Sequence, residues 1–121
     1  MRRILLVDDS GEVRRSVRAV LEDLLPNTIC GEAAGARDAL SAVGRERWDL
    51  VLLDLSLPDC SGLDLLRDLR RLCPAVPVVV MSFHPEAEYS AAAEAAGAAG
   101  YVAKGSSPEV IAGACAAALV R

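Results

Sequence analysis

No apolar run in these 121 residues approaches the ~20 that span a bilayer. The opening M-R-R-I-L-L-V-D-D meets acid after a very short apolar stretch, so no targeting segment is read there and a soluble protein is expected. A basic patch is missing too. Thirteen basic residues against seventeen acidic ones leave a net charge of −4, and the basic ones are spread along the chain, so this domain is not expected to bind nucleic acid. Paired cysteines are absent: Cys30, Cys60, Cys73 and Cys115 show neither C-x-x-C pairing nor His-bearing zinc spacing. Reduced thiols in a cytoplasmic protein are expected. Linkers, internal repeats and low-complexity tails are lacking as well. What remains is a chain with 53% hydrophobic residues, enough apolar surface for one core, read as a single domain over residues 1–121.

What is present is a strict alternation of strand and helix signals. Ile4 to Val7 is an aliphatic run; Val13, Val17, Val20, Leu21 and Leu24 then recur at helical steps until Pro26. Thr28 to Ala33 reads as a strand, Arg37 to Arg47 as a helix, and Leu50 to Leu53 as a third strand. Ser61 caps a helix through Leu72, and Val76 to Met81 is a fourth strand. An alanine-rich helix runs from Glu86 to Ala96, Gly100 to Ala103 is a fifth strand, and Ser107-Pro108 heads a last helix with a capping hydroxyl and a first-turn proline. Strands that are apolar on both faces and separated by helices predict an α/β fold, a parallel sheet covered on both sides.

In such a sheet the ligand crevice lies beyond the carboxyl ends of the strands, where the polar residues of interest fall. Asp8 and Asp9 end the first strand, Asp54 the third, Ser82 the fourth and Lys104 the fifth. Asp54 poses the sharpest question, because V-L-L-D delivers a carboxylate into apolar surroundings, where an unpaired charge is costly. Three carboxylates and one lysine carry a formal charge of about −2, and like charges a few ångströms apart repel by roughly 4 kcal/mol at an effective dielectric of 20. A divalent cation resolves the conflict. Hard oxygen donors with room for water suit Mg²⁺ or Mn²⁺.

These residues resemble a response-regulator receiver domain of two-component signalling: D-D after the first strand, D-x-x-L-P-x-x-x-G from Asp54 to Gly62, then Ser82, Tyr101 and Lys104. The resemblance covers the whole chain. C-G-E-A at 30 to 33 and A-G-Y-V-A-K-G-S-S-P-E at 99 to 109 are most similar to the NarL-like branch, whose output is of the LuxR type. It implies a flavodoxin-like (βα)5 doubly wound fold with strand order 2-1-3-4-5. It also implies Asp54 as phospho-acceptor, Asp9 as a direct Mg²⁺ ligand, Asp8 acting mainly through water, and the Ser56 backbone carbonyl completing the protein ligands. Lys104 and Ser82 would contact the phosphoryl group, and Ser82 and Tyr101 would form a switch pair. The expected partner is a sensor histidine kinase or phosphotransfer protein. The domain is expected to be a signalling module that assists its own phosphorylation and dephosphorylation, and no turnover enzyme.

Flanking residues carry weaker readings. Ser56 and His84 lie two residues beyond Asp54 and Ser82 and would tune hydrolysis, though His84 reads as well as a solvated loop histidine. Cys60 is a passive small residue or an exposed thiol near the site. Arg14, Arg15 and Arg18 mark the side of the first helix where the family meets its kinase, or a solvated charged face. Ala36 stands where that branch usually has glycine, which suggests a slightly altered loop.

Three other classes compete. A flavodoxin-like FMN carrier needs a phosphate cradle after its first strand, where D-D-S-G-E presents acid. A haloacid-dehalogenase-type phosphatase wants a second carboxylate two residues after the first, where this chain has Ser56. A phosphorylation-independent interaction module would lack a carboxylate or the lysine, and neither is lacking.

The helix over 86–96 has almost no large apolar anchor, so it loses little packing when it shifts. The last helix offers Val110, Ile111, Ala114, Cys115, Ala118, Leu119 and Val120, more apolar surface than one sheet face can cover, and a homodimer through these two helices is one expectation. A stand-alone regulator and a receiver cut from a transcription factor are both compatible with the sequence, which carries no information on kinase, stimulus or target genes.

Overall fold

A computed structural model describes residues 1–57, 59, 61–83 and 86–120, with 86–89 described through their backbone. Cys60 and His84 lie outside the described residues. Along the chain run β1 (Arg2–Val7), α1 (Gly11–Leu24), β2 (Thr28–Ala33), α2 (Ala36–Arg45), β3 (Leu50–Asp54), α3 (Gly62–Leu72), β4 (Val78–Ser82), α4 (Glu86–Ala95), β5 (Gly100–Ala103) and α5 (Pro108–Leu119). All five strands are parallel, in the order β2-β1-β3-β4-β5.

Successive strand side chains point to opposite faces, and the core divides accordingly. Ile4, Leu6, Leu50, Leu52, Val79 and Met81 meet Val17 and Leu21 of α1 and Ile111 and Cys115 of α5. On the other face Leu5, Val7, Val51, Leu53, Val78 and Val80 meet Ala39 of α2, Leu65, Leu66 and Leu69 of α3 and Ala93 of α4. Fully burying a leucine, valine or isoleucine contributes roughly 1.5–3 kcal/mol, so β1, β3 and β4 form a stiff centre. Their carboxyl ends are correspondingly well placed.

Several boundaries differ from the periodicity, each for a local reason. β4 starts at Val78 instead of Val76 because Pro77 has no N–H to give the ladder; its carbonyl accepts from Val51 N at 3.0 Å. α2 stops at Arg45, two residues short of Arg47, because the chain must turn Trp48 inward. The buried indole donates from Nε1 to Ala42 O at 3.0 Å, while Glu46 is drawn to Arg3 at 2.6 Å. Ser61 holds the cap position of α3 as expected, but its hydroxyl does not accept from the first turn; its backbone forms an isolated antiparallel bridge with Ser56. Ser107 caps α5 as expected, accepting from Val110 N.

Cys30 and Cys115 are buried free thiols. Burial pushes them up to about 11 and about 12, which keeps both protonated. Arg14 and Arg18 both pair with Glu32 of β2, at 2.8 and 3.0 Å, and Arg18 also reaches Glu22 at 3.3 Å. Two of the three arginines on that side of α1 therefore tie the helix to the edge strand. Arg15 takes no part in these pairs.

One contact spans loops distant in sequence. Gly35 has no side chain with which to cap α2, and the carboxylate of Asp59, in the loop after β3, does so instead, accepting from Ala36 N at 2.9 Å and Arg37 N at 3.2 Å. Those two amides hold the Asp59 carboxyl below its ordinary value. A depressed native value adds stability that is complete above the unfolded value of about 3.9 and is lost as pH falls through the native one. Asp59→Ala should therefore lower the melting temperature at pH 7 and speed amide exchange at Ala36 and Arg37, with the difference from wild type vanishing in strong acid. Melting curves from pH 7 to pH 2 check this, and a difference that persists in acid would exclude the cap.

Candidate functional site

The carboxyl ends of β1, β3, β4 and β5 bring together the predicted residues that the structure describes. The Asp54 residue is 2% exposed and Asp8 3%, whereas Asp9 faces solvent. Lys104, one residue past β5, reaches across with a side chain only 8% exposed and places Nζ 2.7 Å from Asp8 Oδ2 and 3.0 Å from Asp54 Oδ2. The other oxygen of each carboxylate takes a backbone amide two residues on: Ser10 N to Asp8 Oδ1 at 2.9 Å and Ser56 N to Asp54 Oδ1 at 3.0 Å. Both carboxylates are thus held in orientation by their own loops. Arg14 donates to the carbonyl of Asp8, and Ser10, turned by that same loop, caps α1 by accepting from Val13 N at 3.2 Å.

The backbone supports this geometry. Lys104 N donates to Ser82 O at 2.7 Å, so the ends of β4 and β5 are joined where both polar side chains emerge. Gly105 follows with φ +88°, a left-handed turn that other residues adopt only with strain. Gly62, which closes the D-x-x-L-P-x-x-x-G run, sits so close to Leu55 that a Cβ would collide with that residue's backbone. Its N–H donates to Leu55 O at 3.1 Å. The glycine of the motif is explained by this close approach.

Electrostatics follow from burial. Burial pushes the Asp54 carboxyl above its ordinary value; the Ser56 amide and Lys104 pull it back without reversing the shift, and the charge of Asp8 adds to it. For Lys104 burial works against the charge, but the close carboxylates of Asp8 and Asp54 outweigh it and raise the ammonium. One cation still serves two buried carboxylates. Asp8 Oδ2 is buried without a directed hydrogen bond, its 2.7 Å approach to Nζ being an ion-pair contact only. One oxygen each from Asp8, Asp9 and Asp54 lies within 4.8 Å of the others. Octahedral coordination at 2.0–2.1 Å sets oxygens roughly 3–4 Å apart, so these donors fit a small hard cation after slight adjustment.

Ser82 is buried at the end of β4. Tyr101, in β5 opposite Val80, is half-buried and lines a groove of about 390 Å³ with Ser90, Ala93 and Glu94 of α4. Ser56 is exposed. Asp59 and Phe83 were not foreseen. The Phe83 ring lies 5.0 Å from Lys104 Nζ. A compositional signal for Lys104 itself exists: among thirteen basic residues it is the only lysine.

Comparison with known proteins decides the family. The family model described as "Response regulator receiver domain" matches residues 4–116. The chain belongs to the response regulator receiver domain family. Response regulator UvrY of Escherichia coli K12 is 36% identical over 111 residues, covering 92% of this chain and 51% of that protein. A two-component response regulator of the LuxR family from Aurantimonas sp. SI85-9A1 superposes with a TM-score of 0.91 at 34% identity, over 98% of this receiver and 84% of that chain, in keeping with the branch resemblance. A Burkholderia pseudomallei response regulator solved with a phosphorylated aspartic acid, calcium ion and citrate gives a TM-score of 0.84 at 26% identity, over 94% and 66%. The receiver spans about half the length of the curated relatives it matches. Among the described residues no helix is long and apolar enough to cross a membrane.

Trp48, the only tryptophan, lies before β3, under Arg3 at 4.8 Å, whereas Asp54 ends that strand. At ~3.3 Å per residue about six residues separate them by some 20 Å. Mg²⁺ binding detected by calorimetry should leave Trp48 emission almost unchanged; a strong quench at the same concentrations would contradict the placement of the cation at the acidic strand ends.

Proposed function

We propose that this receiver accepts a phosphoryl group on Asp54 from the phosphohistidine of a sensor kinase or phosphotransfer protein, with Asp8, Asp9, Asp54 and the Ser56 carbonyl holding Mg²⁺ or Mn²⁺. The observation that carries the reading is Lys104 Nζ bridging Asp8 and Asp54 at the end of a buried sheet. In the transfer the N–P bond of the donor breaks as an Asp54 carboxylate oxygen bonds to phosphorus, and the leaving imidazole retains its electron pair. A carboxylate raised by burial is a stronger base and a better nucleophile than a solvated one. Ser56 N and Lys104 pin its two oxygens, so little reorientation precedes attack. The bound cation supplies positive charge that neutralises the phosphoryl oxygens. Lys104 supplies the rest.

The acyl phosphate offers acceptors to Ser82, and an inward move of that hydroxyl frees space for Tyr101 beside α4. Ser56, two residues beyond Asp54, would tune hydrolysis of the acyl phosphate; His84, to which the resemblance gives the same role, lies outside the described residues. Relatives about twice as long include one named as a transcriptional regulatory protein, YxjL of Bacillus subtilis, so we infer that the natural regulator acts in the cytoplasm and controls transcription through an output domain, the stand-alone regulator being the alternative.

Acetyl phosphate with Mg²⁺ should add the mass of one phosphoryl group to the wild type and none to Asp54→Asn. Lys104→Ala should slow the addition by about 10²–10³-fold, the usual cost of losing one oxyanion donor. Intact-mass time courses check both, and an Asp54→Asn protein that gains the same mass removes Asp54 as acceptor.

The output face follows from packing. Val110 and Val120 of the α5 region are exposed while Ile111, Ala112, Cys115 and Ala118 are buried, and α4 is anchored among its described side chains by Ala93, a small residue. Phosphorylation is expected to shift a pre-existing equilibrium toward a state that dimerises, or releases an output domain, through α4, β5 and α5. Sedimentation with and without beryllofluoride tests the dimer. A monomer in both states together with unchanged hydrogen exchange over residues 86–120 would refute the switch.

A further inference from the structure

Phe83 is the chain's only phenylalanine and follows Ser82 directly. The residue is 76% exposed, so burial of apolar surface does not account for its place. Its neighbour does: Lys104 Nζ lies over the ring, 5.0 Å from the centroid, within the ~6 Å at which an ammonium is attracted by an aromatic face. An ammonium has three donors, and the two carboxylates beside Lys104 engage it from Asp8 and Asp54. The ring is a third, weaker partner. Lys104 also lines, with Phe83, Ser10, Val13 and Pro108, a groove between α1 and the start of α5, so without the ring its head would border open solvent.

We propose that Phe83 is a positioning residue for Lys104. The reading rests on Asp54 as phospho-acceptor and goes beyond it. A lysine head on a flexible four-carbon stem must leave the carboxylates for the incoming phosphoryl oxygens, and as it does so it gives up its two strong partners. The ring keeps the ammonium at the strand ends through that exchange. Its attraction does not compete for hydrogen bonds, because a π-face takes no position that a phosphoryl oxygen needs.

The test uses the uniqueness of both residues. With lysine-selective ¹³C labelling the spectrum shows a single lysine, and its ε-methylene should be shifted upfield by the ring in the wild type and in Phe83→Trp. The shift should disappear in Phe83→Leu, which keeps an apolar side chain but has no ring. An unshifted wild-type signal overturns the contact. Phosphorylation by acetyl phosphate should then be slowed about two- to five-fold in Phe83→Leu and Phe83→Ala, the scale of an exposed cation–π contact, and be restored in Phe83→Trp. Melting temperatures should stay at the wild-type value, because the ring is mainly in water. A Leu variant as fast as wild type overturns the positioning role, and an Ala variant faster than wild type makes the ring a barrier to the donor, which overturns it equally. A wild type that acquires no phosphoryl group overturns the acceptor reading and this proposal together, whereas normal transfer with indifferent variants overturns this proposal alone.

Discussion

Lys104 Nζ stands between Asp8 Oδ2 and Asp54 Oδ2, at 2.7 and 3.0 Å, and the functional edge is organised around that sharing. A buried ion pair contributes little net stability when its desolvation is counted, but removing one partner typically costs 3–5 kcal/mol because the other charge is left buried alone. Here the arithmetic is less favourable still, with two buried carboxylates for one ammonium. The fold tolerates this because each component is held by something else: Asp8 by the amide of Ser10, Asp54 by the amide of Ser56, and the backbone of Lys104 by the carbonyl of Ser82. An excess of negative charge that rigid strands prevent from relaxing is poised for a cation and a phosphoryl group.

That rigidity has its source in the sheet. Val51, Leu52, Leu53, Val78, Val79 and Val80 are all buried, so the ends of β3 and β4 have little freedom to drift. The loops after the strands are then closed by short-range devices, Gly62 against Leu55 and Ser56 against Ser61, and by one long-range device, the Asp59 carboxylate on the N-terminus of α2. The loop after the acceptor strand is tied at both ends and also sideways to a neighbouring helix. Ser56 thereby sits in a framed loop although it is exposed.

Much of this was legible in the sequence, and the part that was not has a common cause. Apolar runs of four to six residues ending in Asp8, Asp54 and Ser82 announce both the strands and the edge where ligands meet, because parallel strands are buried on both faces and polar residues emerge only at their ends. The family motif then supplies the assignment of roles. Periodicity placed β2 and β5 at their observed limits but overran α2 and started β4 early, since the inward turn of Trp48 and the missing N–H of Pro77 are tertiary and chemical facts that hydrophobic spacing does not encode. Asp59 was invisible because capping rules look within the helix's own first turn, and this cap arrives from 23 residues away. Spacing gives no sign of Phe83 either, because its partner Lys104 lies 21 residues on, just past the neighbouring strand. Arg14 and Arg18, left open between a docking side and a solvated face, prove to be bound to Glu32, which favours neither reading alone.

The same geometry limits how a signal can travel from the acidic edge. On the proposed reading, the two residues that contact the phosphoryl group are Ser82, which ends β4, and Lys104, one residue past β5; a 2.7 Å hydrogen bond joins them, and Tyr101 lies within β5 three residues before Lys104. Any displacement of the Ser82 hydroxyl is thus felt first at the β4–β5 border and not in the β1–β3 centre, where large aliphatic side chains pack both faces. Against that border lies α4, which presents Ala93 to the core where α3 presents Leu65, Leu66 and Leu69. Among the described side chains of α4 the buried contact is a single methyl group, and shifting it forfeits far less packing than shifting three leucines, by roughly 0.8 kcal/mol for each methylene kept in place. On the proposed reading, the asymmetry between the leucines of α3 and the described side chains of α4 would direct the response to the α4–β5–α5 face without requiring the hydrophobic centre to repack.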